Sequence, residues 1–246
     1  MDLQLQGRTV LITGGSRGIG KTTALAFAAE GARVAVTYAS DGQAARSLVE
    51  TIEATGGEAA AYRMRLEDPS TIGEVVEQVA TRFGSLDVLV AGAVVWPYRA
   101  SGDLPTIETA EWEDAVSANL FGTVATVRSA LPHLASAHGR IVLISSDVAR
   151  KGLPGATAYA TGKAGLAGFV AALKWEAGRA GVLANIVAPG FTMTESARER
   201  GDGPHGVLDR ATQPSDVATA ILFLGSFANQ RITGSTLTVD GGESPA

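Results

Sequence analysis

The 246-residue chain contains no cysteine. That excludes disulfides and thiolate-bound metals. Histidine is nearly as scarce: only His133, His138 and His205 occur. None stands at a spacing that suits metal ligation, so they read as surface or helix-end side chains and no metal is expected. Acidic residues outnumber basic ones by 25 to 20, for a net charge of −5, and no basic run stands out. A nucleic-acid partner is therefore not expected. No uninterrupted apolar run approaches the length of a membrane span. The opening MDLQLQGRTVLITGG lacks the charged region, apolar stretch and cleavage site of a secretion signal. These absences imply a soluble, cytoplasmic chain with no membrane partner.

What is present is a large apolar fraction, 46 %, enough to fill a substantial core. Short apolar runs at Arg8–Thr13, Arg33–Thr37, Ala59–Arg63, Leu86–Ala91, Arg140–Ser145, Val182–Val187 and Thr236–Val239 read as strands. Strands so continuously apolar belong in a parallel sheet covered on both faces. Between them lie amphipathic stretches at Ile19–Glu30, Gly42–Ala54, Ser70–Phe83, Ile107–Leu134, Ala156–Ala180 and Pro214–Leu224, which read as helices. Asp68-Pro69 suits a helix start, and Gly31, Gly84 and Gly181 suit helix ends. The alternation predicts one α/β domain over residues 1–246, a doubly wound parallel sheet with helices on both faces. The irregular stretch is 190–213, long enough to predict a functional loop.

The first strand runs into Thr13-Gly14-Gly15-Ser16-Arg17-Gly18-Ile19-Gly20 and then a helix. Glycines 14, 18 and 20 let the backbone turn tightly and approach a pyrophosphate, while the helix aims its N–H groups and dipole at it. Between strand and helix, that pattern points to a dinucleotide site that includes Ser16 and Ile19. Gly14-Gly15-Ser16-Arg17-Gly18 also fits a nucleophile elbow, which would make Ser16 an acyl-enzyme serine. No histidine has the downstream setting that reading needs. At the end of the second strand, Val36-Thr37-Tyr38-Ala39-Ser40 has no acid before Asp41. An acid there would hold the ribose hydroxyls of NAD and repel a 2′-phosphate. With Arg17 available to pair with that phosphate, NADP(H) is expected in preference to NAD(H).

Tyr159-Ala160-Thr161-Gly162-Lys163 places a phenol and an ammonium on one helical face. A nearby lysine favours the phenolate and is expected to lower the tyrosine's ordinary pKa. Tyr159 can then exchange a proton with a carbonyl or alcohol oxygen as hydride moves. Ser146 follows the apolar strand Ile141-Val142-Leu143-Ile144. In this type of sheet, ligands gather at the carboxyl ends of strands, where a hydroxyl can hold the substrate oxygen.

Taken together, these residues resemble the classical short-chain dehydrogenase/reductase family, most closely its 3-oxoacyl carrier-protein reductase-like members. The resemblance rests on TGGSRGIG at 13–20, Asn119 in SANLFG, Ser146 in ISSD, Tyr159-x-x-x-Lys163, Pro189-Gly190 and Val239-Asp240-Gly241-Gly242. It implies a seven-stranded sheet of order 3-2-1-4-5-6-7. It also implies that Tyr159 is the general acid/base and that Lys163 binds the nicotinamide ribose and tunes Tyr159. Ser146 would orient the substrate oxygen, and Asn119 would hold a water in a proton relay. Thr37, Tyr38, Arg65, Leu66, Ala91, Gly92 and Ala93 would lie on the adenine side. Pro189, Gly190, Thr192 and Thr194 would lie along the nicotinamide and pyrophosphate. Residues 190–213 would be the substrate lid, and the assembly a homotetramer packed partly through the helices bearing Asn119 and Tyr159.

Two departures stand out. Ala91-Gly92-Ala93-Val94 replaces the family's usual Asn-Asn-Ala-Gly, and Arg65 stands where an aspartate is usual. The lost side-chain hydrogen bonds would weaken cofactor binding or loosen the sheet edge, or Arg65 would add charge beside the adenosine phosphate. The expected activity is reduction of a ketone, free or carrier-bound, to a secondary alcohol. The alternatives are a dehydrogenase for an alcohol, sugar or steroid, and a non-catalytic dinucleotide-binding regulator. Trp96, Tyr98 and Arg99, with Arg150 and Lys151, flank the expected substrate site. The aromatics suit a flat or apolar substrate body, and the basic residues read as a solvated rim.

Overall fold

The computed structural model describes residues 1–96, 100–199, 207–208 and 210–244. Its centre is a seven-stranded parallel sheet of β1 (Thr9–Thr13), β2 (Arg33–Tyr38), β3 (Ala59–Arg63), β4 (Val88–Ala91), β5 (Arg140–Ile144), β6 (Leu183–Pro189) and β7 (Thr236–Val239). The order is β3-β2-β1-β4-β5-β6-β7, as expected.

The two-residue period of each strand decides which helix it meets. Val10, Ile12, Val34, Val36, Val88, Val90, Val142 and Ile144 point to one face. There they pack on α1 (Gly18–Ala29), α2 (Gly42–Ala54) and α9 (Pro214–Gly225) through Phe27, Ile52 and Ile221. Leu11, Ala35, Leu89, Ile141, Leu143 and Ile186 point the other way. They meet α3 (Pro69–Phe83), α5 (Gly122–Ala137) and α7 (Thr157–Ala177) through Val76, Leu134 and Leu166. Both faces are covered, so the strands can be apolar throughout.

β2 and β3 are added on one side of β1 and β4 to β7 on the other, all parallel, so the strand order reverses between β1 and β4. That switch point opens a crevice at the carboxyl ends of the strands. The expected boundaries hold within a few residues, with one exception. Ile107–Leu134 is not one helix. It follows a short 3₁₀ turn at Leu104–Thr106 and comprises α4 (Thr109–Val116), a widened π turn over Ser117–Phe121, and α5. Two short helices were not foreseen: α6 (Val148–Lys151) and α8 (Glu195–Glu199) within the expected lid. Among the described residues, no helix is long and apolar enough to cross a membrane.

Candidate active site

The crevice holds a cleft of about 530 Å³. Gly14, Ser16, Arg17, Ile19 and Gly20 form one wall. Thr37, Tyr38, Arg65, Leu66, Gly92, Ala93 and Thr194 also line it. Ala91 does not; it is buried inside β4. Pro189, Gly190 and Thr192 lie beyond this cleft, at the end of β6 and in the strand's continuation.

The glycines are there because nothing larger fits. A Cβ on Gly14 would stand 2.8 Å from the Ala93 Cα, and one on Gly20 would strike the Gly14 carbonyl oxygen. Gly14 also has φ +70°, and Gly18 +53°, values that L side chains rarely adopt. The turn is pinned from behind: Gly14 N–H donates to Thr37 Oγ1 (3.2 Å) and Gly15 N–H to the Thr37 carbonyl (3.0 Å). Arg17, exposed and in extended conformation, begins α1, so the free N–H groups and positive end of that helix face the cleft. This is a cradle for a phosphate, and the residues fit a dinucleotide.

The altered stretch after β4 keeps its anchor. Thr13 Oγ1 accepts from Gly92 N–H (3.1 Å) and Ala93 N–H (3.0 Å). The sheet edge is therefore tied to β1 despite the missing asparagines. On the adenine side, Arg65 lies 3.5 Å from Glu67 Oε1, so its charge is shared. Arg63, not foreseen as a site residue, also lines the cleft. It ends β3 opposite Tyr38, and that register was the available signal. Asp41, the first acid after β2, accepts from Ala44 N–H (3.0 Å) as the cap of α2.

The chemical groups meet beyond β5. Ser145 is buried and donates to the Lys163 carbonyl at 3.0 Å. Ser146, half-exposed, is the one whose hydroxyl acts on the Tyr159 phenol, favouring its ionised form. Trp96 packs on Tyr159 with ring centroids 5.0 Å apart; Tyr98 and Arg99 lie outside the described residues. Lys163, on the same helix, is 3 % exposed, and its Nζ sits 6.0 Å from the Tyr159 ring centre and donates to the Ile144 carbonyl at 2.8 Å. Burial pushes its pKa down to about 8.

The expected lowering of Tyr159 is not found. Burial, the largest influence, pushes the phenol above its ordinary value, and the nearby Asp147 carboxylate adds to this against the lowering influence of the Ser146 hydroxyl. Tyr159 is thus a neutral acid at physiological pH.

Asn119 sits in the π turn, fully buried. Its Nδ2 donates to the Val95 carbonyl (2.8 Å) and the Ala115 carbonyl (2.9 Å), and its Oδ1 accepts from Val95 N–H (3.1 Å). One amide hydrogen holds the loop after β4 and the other the Ala115 carbonyl of α4, so both are spent. Such turns recur at functional sites, and here Gly162 of α7 lets the widened turn close on the helix that bears Tyr159, a Cβ there meeting the Asn119 Cβ at 3.3 Å.

Lys151 is exposed at the rim but paired: its ammonium lies 2.6 Å from both Asp147 and Glu243. Of the histidines, His133 pairs with Glu77 and His138 ends α5; His205 lies outside the described residues. Among the described residues, no cluster could hold a metal.

The short chain dehydrogenase family model matches residues 8–204. The chain belongs to that family. It is 34 % identical over 242 residues to a 3-oxoacyl-[acyl-carrier-protein] reductase of Staphylococcus aureus, covering 96 % of this chain and 97 % of the relative. A 3-oxoacyl-[acyl-carrier-protein] reductase of Synechocystis is 35 % identical, covering 97 % of each. Among solved structures, a dehydrogenase/reductase from Sinorhizobium meliloti superposes with a TM-score of 0.90 at 33 % identity, over 99 % of this chain and 98 % of that one. A short chain dehydrogenase from Burkholderia cenocepacia in complex with NADP superposes with a TM-score of 0.88 at 33 % identity, over 98 % and 99 %.

Proposed function

We propose that this short chain dehydrogenase reduces a ketone to a secondary alcohol with NADPH, with Tyr159 as the proton donor. One observation carries the reading. A half-buried, neutral Tyr159, acted on by Ser146, stands at the same carboxyl end of the sheet as a glycine cradle built for a phosphate. A protonated phenol is the form that reduction needs.

Bound NADPH would supply the hydride. Arg17, with Arg63 and Arg65 on the same cleft, gives the adenosine end a surplus of positive charge that suits a 2′-phosphate. The Lys163 ammonium would meet the nicotinamide ribose. Ser146 donates a hydrogen bond to the carbonyl oxygen as negative charge develops there, and Tyr159 delivers its proton to that oxygen. The resulting phenolate regains a proton from solvent. The NADP bound by the Burkholderia relative supports the cofactor. The names of the Staphylococcus and Synechocystis relatives support a 3-oxoacyl substrate on a carrier.

Residues 190–213 would form the lid; the Thr192–Thr212 bridge closes its base. A homotetramer belongs to the same reading. Phe121 on the π turn is 62 % exposed and Trp175 on α7 is 71 % exposed, apolar surfaces on the helices expected to pair. The deciding experiment is a fluorescence titration with NADPH and NADH, followed by a ketone panel. Tight NADPH binding and turnover of a 3-oxoacyl thioester are expected. Binding of neither nucleotide would overturn the proposal.

A further inference from the structure

The aspartate that follows Ser146 has no part in the reaction as derived above, yet it is 4 % exposed. A carboxylate buried to that degree requires partners. Ser146 donates to Asp147 Oδ1 at 3.2 Å, and Lys151 Nζ, one turn further along α6, lies 2.6 Å from Asp147 Oδ2. The same ammonium donates to Glu243 Oε1 at 2.6 Å, across 92 residues of sequence. Glu243 belongs to a C-terminal tail that is itself fixed. Asp240 accepts from Gly242 N–H (2.9 Å) and Ser244 N–H (2.8 Å), and Gly190 N–H donates to the Val239 carbonyl at 2.9 Å. Val207 N–H donates to the Gly241 carbonyl at 3.0 Å, so the tail also touches the stretch read as the lid.

We propose that Asp147 is a positioning residue for Ser146, set by an Asp147–Lys151–Glu243 clasp that ties the C-terminal tail to the loop behind β5. The inference rests on the reading that Ser146 and Tyr159 perform the chemistry.

Ser146 has one hydroxyl hydrogen. Asp147 holds it, while the hydroxyl oxygen accepts from Val148 N–H at 3.2 Å. To assist reduction, the hydroxyl must turn that hydrogen from the carboxylate to the substrate oxygen. How strongly Asp147 competes depends on how far Lys151 neutralises it. Two carboxylates share one ammonium, so a net negative charge stays beside the site. The charged groups around Tyr159 are Lys163 on its own helix, Asp147 at the start of α6 and, through Asp147, Lys151 on α6 and Glu243 on the tail. Trp96, from the loop after β4, brings only an apolar ring. Asp147 opposes ionisation of the phenol, which keeps the acid loaded.

The test is the ionisation of Tyr159 in three variants: Asp147→Asn, Lys151→Met and Glu243→Gln. It is followed by tyrosinate absorbance, as the difference between each protein and its counterpart that also carries Tyr159→Phe. Removing the carboxylate lowers the midpoint by about one pH unit, and removing the ammonium raises it by a similar amount. Glu243→Gln leaves Lys151 wholly to Asp147 and lowers the midpoint by less. In turnover, Lys151→Met loses about tenfold in kcat with KM nearly unchanged, because the unneutralised carboxylate keeps the Ser146 hydrogen. A tail staple with no link to the site gives lower thermal midpoints in all three and no opposed movement of the titration, and that result overturns the clasp. If Asp147→Asn does not fold, the opposite signs expected for Lys151→Met and Glu243→Gln still decide. Full turnover in Tyr159→Phe alone would remove the underlying reading. A dead Tyr159→Phe together with same-sign shifts removes only the clasp.

Discussion

The loops after β1 and β5 lie at the same carboxyl end of the sheet but work by opposite means. After β1 the function is carried by backbone. Gly14 and Gly20 serve by lacking side chains, and the phosphate would meet N–H groups that any residue possesses. After β5 it is carried by particular side-chain atoms: the Ser146 hydroxyl, the Tyr159 phenol and the Lys163 ammonium. The first region tolerates changes of identity provided that size is respected, which is why Ala91-Gly92-Ala93 can replace asparagines while Thr13 holds the strand ends together. The second tolerates almost none.

The sharpest way to break this comparison is Tyr159→Phe. The ring still packs on Trp96, so the nucleotide should bind within about twofold while kcat falls on the order of 10³-fold, the share of one proton donor. Comparable losses in affinity and rate would mean that the loop after β5 also works by shape. Gly20→Ala is the converse. Its methyl would strike the Gly14 carbonyl, and a misfit of about 3 kcal/mol weakens NADPH about a hundredfold. Turnover at saturating cofactor should recover. Unchanged affinity would show that the cradle has slack.

Much of this was legible in sequence, and what was not has a physical reason. The ranges of β3, α2 and β7 could be read because apolar periodicity and local breakers bound them. The break in Ile107–Leu134 could not. Ser117–Phe121 contains no proline or glycine, and the π turn is stabilised by Asn119 bonding to Val95, 24 residues away. The motif spacing located Tyr159 and Lys163 but gave the wrong sign for the phenol, because burial depends on packing that the motif does not encode. Arg63 was overlooked because its role depends on lying opposite Tyr38 across the sheet.

Lys163 sharpens the contrast through stability. Its pKa falls from 10.5 to about 8 on burial, so the folded state disfavours its charged form. Below pH 8 that penalty is fully present, about 3 kcal/mol by the size of the shift. It fades as pH rises toward 10.5, where the unfolded chain also loses its proton. Lys163→Met removes the penalty but leaves the Ile144 carbonyl without its donor, a loss of about 1 kcal/mol. The variant should therefore be inactive yet more stable than the parent by about 2 kcal/mol at pH 7, with the gain shrinking across pH 8 to 10.5 in denaturant melts. A variant less stable at every pH would mean that the lysine is structural.

The smallest expected effect falls on the backbone-driven side, where one side chain does matter. Arg17 is exposed at the start of α1 and lines the cleft beside the Thr37–Asp41 stretch. The helix end attracts any phosphate of the nucleotide, so it favours NADPH and NADH alike. Only a cation aimed at the adenosine ribose distinguishes them. Arg17→Ala should weaken NADPH about tenfold, the worth of one charge-assisted contact at an exposed site, and leave NADH within about twofold. Equal losses for both would place Arg17 on the shared pyrophosphate, and discrimination would then fall to Arg63 and Arg65. Because Arg65 already shares its charge with Glu67, Arg63→Ala would be the variant to separate those two, and a loss confined to NADPH in it would move the phosphate site from the glycine loop to the end of β3.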